Sequence, residues 1–212
     1  MMRRCPLCNA SEPALYHQDR RREYYQCATC ALVFVPQEQH LTAAEEKAEY
    51  DQHQNSPHDT GYRRFLGRLF DPMLGKLTDG ASGLDFGSGP GPTLSVMFEE
   101  AGHTMAVYDI YYAPNQDVLN RSYDFITATE VVEHLAAPGE VLSQLVANLT
   151  PGGYLGLMTK RVTSQEAFSR WHYINDPTHV SFFSEVTFRW WANKQGLAVE
   201  FPGKDTAIFT KH

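Results

Sequence analysis

Apolar residues in the second part of the chain form short runs, and polar or glycine-rich segments separate these runs. Runs this short are typical of strands that lie buried within a sheet. We predict strands at residues 84–86, 106–108, 124–128, 154–159, 197–201 and 206–210. Because most of these strands alternate with helical segments, the pattern predicts an α/β fold built around an open sheet.

Two helices are predicted before the first strand of this sheet. Thr42 and Glu45 have the spacing of a capping box, which predicts a helix over residues 42–52. A second helix is predicted over residues 62–76, where apolar side chains recur on one face. Pro72 lies inside this second segment, and we expect it to kink or split the helix.

Three further helices are predicted between the strands. They are expected at residues 93–101, 138–149 and 185–195. Gly102 and Gly196 directly follow two of these segments, at the position where a left-handed glycine commonly ends a helix. Ser184 is the predicted N-cap of the last helix.

The stretch from Gly83 to Gly91 runs from a strand through a glycine-rich turn into a helix. Gly87, Gly89 and Gly91 remove side chains where the backbone comes close to a ligand or takes a positive φ. Such a turn at a helix N-terminus can hold part of a nucleotide, although an ordinary tight turn between a strand and a helix is the alternative. Asp109 follows the next strand, and an acid there can accept hydrogen bonds from ribose hydroxyls.

Three segments, in this order, resemble motifs of the class I S-adenosylmethionine-dependent methyltransferases. Residues 84–91 (LDFGSGPG) look like the first motif of that family. Residues 123–135 (YDFITATEVVEHL) resemble the fourth-strand motif of its ubiquinone-biosynthesis-like branch, and residues 149–155 (LTPGGYL) resemble the turn into its fifth strand. The resemblance covers roughly residues 62–212. It implies a Rossmann-like doubly wound sheet that ends in an antiparallel strand pair, with S-adenosyl-L-methionine as the cofactor.

The resemblance also implies which residues would bind the cofactor. Ligands of an open α/β sheet bind outside the carboxyl ends of its strands, which puts Thr129 and Glu130 beside the methionine part. In related enzymes the segment before the first strand covers the cofactor as a lid, so Tyr50, His53, Tyr62 and Arg63 are candidate contacts. The full expected set is Asp85, Gly87, Ser88, Gly89, Gly91, Asp109, Ile110, Thr129, Glu130, His134 and Tyr62.

The interval after Asp109 departs from the family pattern. Only fourteen residues separate Asp109 from Asp124, so the third-strand region is shortened. There is room for one short strand at most, which we predict at residues 117–119. The usual adenine contacts have no clear counterpart, and Tyr111 and Tyr112, together with Pro114, are candidates for an apolar face against the base.

The segment from Trp171 to Ser184 is rich in aromatic residues and is predicted to be a loop. Loops above the carboxyl edge of a sheet often carry substrate chemistry, and related methyltransferases often have a histidine followed by aromatic residues here. A histidine is a natural general base near neutral pH. His179 is the first candidate and His134 the second, and Asp176 is expected to orient an imidazole. A packed histidine bonded to the backbone is the alternative for His179.

All four cysteines lie in the first 35 residues, as two CxxC pairs with eighteen residues between them: Cys5, Cys8, Cys27 and Cys30. Two such pairs can form a closed tetrahedral Zn²⁺ site, and the spacing fits a zinc ribbon. A closed four-thiolate shell predicts a structural ion; two disulfides are the alternative. Short strands are predicted on both sides of the second pair, at residues 24–26 and 32–35. A module this small is expected to depend on the ion for folding.

Length and composition suit one main domain with a small appendage, since the chain has 212 residues of which 42% are hydrophobic. We place a zinc-ribbon-like module at residues 1–35, a helical linker or lid at 36–61 and the methyltransferase domain at 62–212. No apolar run is long enough to span a bilayer, and the N-terminus lacks the apolar region of a secretory signal. We therefore expect a cytoplasmic protein without a membrane partner.

The net charge of −7 disfavours a broad nucleic-acid surface. The basic cluster at Arg20, Arg21 and Arg22 is either a phosphate or RNA contact or a solvated loop tip. The main hypothesis is a methyltransferase acting on a small molecule by in-line displacement. Because sugar C-methyltransferases carry comparable N-terminal metal modules, a nucleotide-linked sugar is one candidate acceptor; the fourth-strand motif suggests a quinol-like aromatic as the other.

Three rival functions are considered. Some ribosomal RNA guanine methyltransferases begin with a similar Cys-Pro-Leu-Cys, which keeps an RNA methyltransferase as the first alternative. A non-catalytic protein that uses the methyltransferase fold only for binding is the second; an intact glycine turn and Asp109 argue against it. A nicotinamide dehydrogenase is disfavoured because the glycine spacing is GxGxG and not GxGxxG.

Overall fold

The structure, a computed structural model, describes residues 3–52 and 56–212. Residues 3–35, which we call the cysteine module, contain three short strands: β1 Ala14–Gln18, β2 Glu23–Gln26 and β3 Val33–Phe34. The two strands predicted around the second cysteine pair are present as β2 and β3. The sequence analysis did not predict β1, because its side chains are half-buried or exposed and give no apolar run.

Two helices follow the cysteine module: α1 Ala43–Tyr50 and α2 Thr60–Leu74. The predicted capping box is present, since the Thr42 side chain accepts from the Glu45 N–H and the Glu45 carboxylate accepts from the Thr42 N–H. Of the two predicted effects of Pro72, a kink or a split, the split does not occur, since α2 continues through this residue. Pro72 lies in the last turn, where it removes little of the hydrogen-bond ladder, and Met73 beside it is fully buried. In the described ranges no helix combines the length and the apolar character that a bilayer crossing needs.

The main sheet has six strands in the order β5-β4-β6-β7-β10-β9. Its strands are β4 Ser82–Phe86, β5 Thr104–Tyr108, β6 Tyr123–Thr129, β7 Leu149–Met158, β9 Leu197–Glu200 and β10 Thr206–Lys211. The remaining helices are α3 Thr93–Glu100, α4 Pro138–Ala147, α5 Gln165–Ser169 and α6 Glu185–Gln195. The first four strands pair in parallel, whereas β10 runs antiparallel to both β7 and β9. This confirms the predicted Rossmann-like α/β sheet with its final antiparallel pair.

Helices cover both faces of the sheet. One face packs against α2 and α3 through Leu66, Leu69, Met73, Phe98 and Phe125. The other face shares a core with α4, α6 and the cysteine module, with Cys5, Leu7, Leu142, Phe188 and Trp191 among its members. The chain leaves β4 toward β5 and leaves β6 toward β7, in opposite directions, so a crevice opens at the carboxyl ends of these strands.

The shortened region after β5 contains no third strand. Residues 116–120 form a 3₁₀ helix in place of the short strand predicted at 117–119. The Tyr123 hydroxyl donates to the Val118 carbonyl at 2.7 Å, and the Asn148 amide donates to the Leu119 carbonyl at 2.6 Å. Because side chains satisfy these carbonyls, the segment needs no neighbouring strand.

The segment predicted as a loop at residues 171–184 is partly ordered into regular structure. It contains a 3₁₀ turn, His172–Asn175, and the two-residue strand β8, Ser181–Phe182. Strand β8 pairs with β3, so the sheet of the cysteine module has the order β1-β2-β3-β8. The cysteine module is therefore joined by backbone pairing to the segment that carries His179.

Candidate active site

A cavity of about 690 Å³ lies outside the carboxyl ends of β4, β5 and β6, beneath α1 and α2. Most of the predicted site residues line it: Tyr62, Gly87, Ser88, Gly89, Asp109, Ile110, Thr129, Glu130, His134, Asp176 and His179. Asp85 and Gly91 do not. The cavity thus brings together residues from the glycine turn, from the ends of three strands and from the segment before β8.

The glycine turn is shaped by two left-handed residues, Gly87 with φ 75° and Gly89 with φ 65°. A Cβ on Gly87 would lie 2.4 Å from the Val131 side chain, so a larger residue would push the turn away from β6. A Cβ on Gly89 would meet nothing within 4 Å, so its backbone faces open space in the cavity. An exposed backbone at this position fits the close approach of a cofactor.

Asp109 is 8% exposed and lies next to this turn. Its carboxylate accepts from the Gly89 N–H at 2.9 Å and from the Tyr111 and Tyr112 N–H groups at 2.8 and 3.0 Å. A carboxylate has about four acceptor positions, so three backbone donors leave roughly one for a ribose hydroxyl. Asp109 therefore also fixes the position of the turn.

Asp85 and Gly91 lie below the cavity surface. The Asp85 carboxylate is buried and accepts from the Ser95 hydroxyl at 3.2 Å and the Thr127 hydroxyl at 3.0 Å. Burial raises the pKa of Asp85 to about 6. This side chain ties β4 to α3 and β6, so any effect that it has on a cofactor acts through the turn.

Helix α1 closes the cavity from above and contacts the residues after β5. The Tyr111 hydroxyl donates to Glu46 and the Tyr112 hydroxyl donates to Asp51, each at 2.7 Å. Tyr50 lines the cavity, with its ring 5.3 Å from the His134 ring.

The other lid and adenine candidates differ in position. Tyr62 faces the cavity, whereas Arg63 is bonded to Glu100 and to the Pro57 carbonyl and does not line it. Pro114 is exposed and does not line the cavity either. His53 falls outside the described residues.

His179 lines the cavity although it is only 7% exposed. Its Nδ1 lies 2.8 Å from the Tyr173 carbonyl, so a neutral ring carries its proton on Nδ1 and leaves Nε2 as the acceptor. Nε2 lies 3.7 Å from a carboxylate oxygen of Asp176. Burial lowers the pKa of His179, against the opposing charge of Asp176. His179 is therefore packed and bonded to the backbone, as the alternative interpretation expected, and it also faces the cavity.

The sequence analysis did not select Glu133 and Tyr173, which form an acidic cluster with Glu130. Glu133 is fully buried and accepts a short hydrogen bond from the Tyr173 hydroxyl, which also lies 3.5 Å from Glu130. Burial raises the pKa of Glu130 to about 7 and that of Glu133 to about 8. Glu133, His134 and His179 each present a polar atom within 4.8 Å of the other two, a spacing that a cation could also bridge. Glu130 and Glu133 both lie in the fourth-strand motif, but no local pattern could indicate that Tyr173, 40 positions away from Glu133, joins them.

The four cysteine sulfurs converge in the cysteine module. Cys5 and Cys30 are 3.5 Å apart, as are Cys8 and Cys27, and all four Sγ atoms lie within 4.8 Å of one another. Asn9 and Ala31 have φ of 60° and donate to the carbonyls of Cys5 and Cys27, so the two turns are equivalent. A tetrahedral zinc site with bonds of about 2.3 Å needs sulfurs roughly 3.8 Å apart. All four thiols are free, and the geometry fits a shared ion better than two disulfides.

The three arginines of the basic cluster differ in their exposure. Arg20 is exposed, whereas Arg21 donates to Asn175 and Arg22 is only 7% exposed. The Arg22 guanidinium is bonded to backbone carbonyls of the segment before β8. Arg20 and Arg21 are thus exposed, as the solvated loop tip predicts, whereas Arg22 is internal and fits neither interpretation.

Several solved structures share this fold at low sequence identity. Burkholderia thailandensis 1,6-didemethyltoxoflavin-N1-methyltransferase, with bound 1,6-didemethyltoxoflavin and S-adenosylhomocysteine, is 16% identical with a TM-score of 0.54; the match covers 94% of this chain and 99% of that one. Synechocystis PCC 6803 magnesium protoporphyrin IX methyltransferase, with bound S-adenosylhomocysteine, is 12% identical with a TM-score of 0.52, over 80% and 94% of the chains. A Haloferax volcanii protein solved in complex with the Trm112 methyltransferase activator is 14% identical with a TM-score of 0.51, over 79% and 98%.

No curated protein sequence matches the chain. A family profile described as a methyltransferase domain matches residues 58–200, which is well over half of the chain. The matched range contains five of the six strands of the main sheet, the glycine turn and all the cavity-lining residues of the loops above the sheet. With this match and the shared fold, the chain belongs to the methyltransferase domain family and has the fold of the S-adenosylmethionine-dependent methyltransferases.

Proposed function

We propose that the protein transfers a methyl group from S-adenosylmethionine to a small-molecule acceptor by in-line displacement. The observation that carries this proposal is the single cavity that contains the glycine turn and Asp109 at one side and the His179 imidazole at another. One part of the cavity is suited to hold a nucleoside, and the other offers a group that accepts a proton. A methyl transfer to a protonated oxygen or nitrogen needs both.

The cofactor would supply the electrophilic methyl group, and the residues of this chain would bind and align it. Gly87 to Gly89 and Asp109 are proposed to hold the ribose side, with Ile110, Tyr111 and Tyr112 beside the base. Thr129, Glu130, His134 and Tyr62 are proposed to surround the methionine part. Asp85 and Gly91 would act indirectly, by supporting the turn.

His179 is proposed to accept the proton of the acceptor at Nε2. Its lowered pKa keeps the ring neutral at pH 7, and the Tyr173 carbonyl keeps the other nitrogen protonated. Asp176 would stabilise the imidazolium that forms, since its carboxylate lies 3.7 Å from Nε2. His134, whose ring centroid is 4.7 Å from that of His179, is the second candidate for the base.

The charges around the cavity favour a neutral or cationic acceptor. Among the described residues no lysine or arginine lines the cavity, whereas Glu46, Asp109, Glu130 and Asp176 do. A nucleotide-linked sugar would bring phosphates, which proteins usually bind with cationic side chains or helix N-termini. The aromatic rings of Tyr50, Tyr62 and Phe65 suit a planar apolar ring instead. Of the two predicted acceptors we therefore favour the quinol-like aromatic.

We infer that Cys5, Cys8, Cys27 and Cys30 bind one structural Zn²⁺, in a zinc-ribbon-like module. Four thiolates complete a tetrahedral shell and leave no position for substrate. Elemental analysis of protein purified without added metal is expected to give one zinc per chain. A zinc-free protein with four titratable thiols would contradict this inference.

The proposed activity is tested by label transfer. Purified protein and methyl-labelled S-adenosylmethionine are mixed with cell extract that has been divided into small-molecule, RNA and protein fractions. We expect label in the small-molecule fraction, in compounds that an anion exchanger does not retain, and none with His179→Gln. Label in RNA would support the RNA methyltransferase instead, and failure to bind S-adenosylhomocysteine at all would support a non-catalytic protein.

A further inference from the structure

Arg22 is an arginine buried inside the protein with backbone partners on one segment. It lies in the turn between β1 and β2, and 7% of its surface is exposed. Its two terminal nitrogens donate to the carbonyls of Ile174, Asp176, Pro177 and His179 at 2.7–3.0 Å. Burial of a guanidinium is costly unless its donors are satisfied, and here four are satisfied by consecutive parts of the same loop.

The cysteine module also fixes both ends of this loop. Arg21 donates to the backbone carbonyl and the side-chain oxygen of Asn175, both at 3.1 Å. At the other end, the Val35 N–H donates to the Val180 carbonyl at 2.9 Å, beside the β3–β8 pairing. The loop at residues 174–180 is thus held along its length by the N-terminal module.

This loop carries the acid–base residues of the proposed reaction. Asp176 and His179 line the cavity, and Arg22 binds the backbone carbonyls of both. The His179 ring is hydrogen-bonded to the Tyr173 carbonyl. Tyr173 directly precedes the residues whose carbonyls Arg22 binds. A shift of the loop by about an ångström would move Nε2 relative to an acceptor, and such displacements cost up to about 100-fold in rate.

We propose that Arg22 is a positioning residue that holds the loop at residues 174–180 so that His179 and Asp176 face the cavity. The cysteine module thereby forms part of the support of the active site. This inference rests on the proposed function of His179. A lysine cannot replace the arginine, because its single ammonium lacks the planar fork that reaches four carbonyls at once.

The test compares Arg22→Lys and Arg22→Met with Arg20→Ala, which changes an exposed arginine of the same turn. Zinc content and melting temperature report on folding, and titration with S-adenosylhomocysteine reports on the cofactor side. The His179 ring is observed by NMR in histidine-labelled protein, with its signals assigned from His179→Gln. Turnover is measured with the acceptor found by label transfer.

We expect Arg22→Lys to keep its zinc and to bind S-adenosylhomocysteine within about twofold of wild type, while turnover falls about 10- to 100-fold. The His179 ring signals should shift or broaden in the same variant, and Arg20→Ala should change neither. Unchanged ring signals in Arg22→Lys and Arg22→Met would overturn the inference. A parallel loss of zinc and of cofactor binding in both variants, together with a lower melting temperature, would also overturn it, because these changes would indicate that Arg22 has a purely structural role.

The ring signals also separate this inference from the proposed function. If His179→Gln keeps full turnover, His179 is not the base. A shift of its ring in Arg22→Lys would still support the positioning of the loop, whereas an unmoved ring would reject it.

Discussion

At the scale of single residues, Glu133 is a group whose ionisation opposes folding. It is fully buried, and burial raises its pKa from 4.5 to about 8. The folded protein therefore retains a proton that the unfolded chain releases, so the free energy of unfolding falls as pH rises from about 4.5 to 8. Glu133→Gln should reduce this fall, to which Glu130 also contributes, and stabilise the protein at pH 8 by roughly 2 kcal/mol or more, since one pKa unit corresponds to about 1.4 kcal/mol.

Denaturant unfolding at several pH values measures this effect. Glu99→Gln is the matched control, because Glu99 is exposed. If Glu133→Gln and wild type have the same pH dependence, the buried carboxyl is not protonated in the folded state.

Asp109 is the residue on which cofactor affinity should depend most. Its carboxylate accepts three backbone N–H groups of the glycine turn and the following loop, with acceptor capacity left toward the cavity. In Asp109→Asn an amide N–H₂ replaces one of these acceptors and faces a backbone donor. Charged hydrogen bonds are worth about 1.5–3 kcal/mol, so affinity for S-adenosylhomocysteine should fall at least about tenfold. Calorimetric titration checks this, with Asp117→Asn as the exposed control; equal affinities would remove Asp109 from the cofactor site.

At the scale of elements, α1 has the properties of a lid held by polar contacts. No residue of α1 is fully buried. Its contacts with the loop after β5 include the hydrogen bonds from Tyr111 to Glu46 and from Tyr112 to Asp51. An element held in this way can open at low cost in free energy.

Replacing both tyrosines by phenylalanine separates the lid contact from the predicted contact with the adenine. The rings remain, so affinity should change little, but the double variant should bind and release S-adenosylhomocysteine at least roughly tenfold faster, because hydrogen bonds to carboxylates are worth about 1.5–3 kcal/mol each. The alanine variants should in addition lose affinity if the rings cover the base. Stopped-flow displacement measures both, and unchanged release from the phenylalanine variant would show that α1 does not control exit.

Helix α4 packs so closely against the first cysteine turn that there is no room for a side chain at Gly139. A Cβ on Gly139 would lie 2.4 Å from the Leu7 carbonyl oxygen. Gly139→Ala should therefore separate the two backbones and destabilise the protein by about 1–3 kcal/mol, as overpacking does. Gly67→Ala in α2 is the control: its Cβ would meet only a side-chain oxygen at 3.6 Å, and alanine favours the helix. Thermal unfolding compares the two, and equal stability of both variants would contradict the packing described here.

At the scale of the whole molecule, the sequence could predict those features of the fold that local patterns encode. Apolar runs, caps and glycine turns identified the strands and helices of the sheet, and the spacing from Gly89 to Asp109 identified one side of the cavity. The features that the sequence analysis missed share one cause, which is that they depend on contacts between distant segments. Strand β8, the burial of Arg22 and the bond between Tyr173 and Glu133 all join distant segments; Arg22 and Ile174 are 152 positions apart. No periodicity within a segment reports such contacts, so the sequence could not show that Arg22, unlike its exposed neighbours Arg20 and Arg21, is buried.

The same long-range contacts predict that the cysteine module and the sheet unfold together. Strand β3 pairs with β8, the Val180 N–H donates to the Glu133 carbonyl, and Cys5 lies in the same core as Trp191. Removal of the proposed zinc ion by a chelator should therefore lower the melting temperature of the entire chain in one transition and weaken S-adenosylhomocysteine binding, and added zinc should restore both. Scanning calorimetry distinguishes this from independent domains, which would give two transitions and leave the cofactor affinity unchanged. A single transition would mean that the proposed ion, bound by cysteines that do not line the cavity, sets the stability of the walls around that cavity.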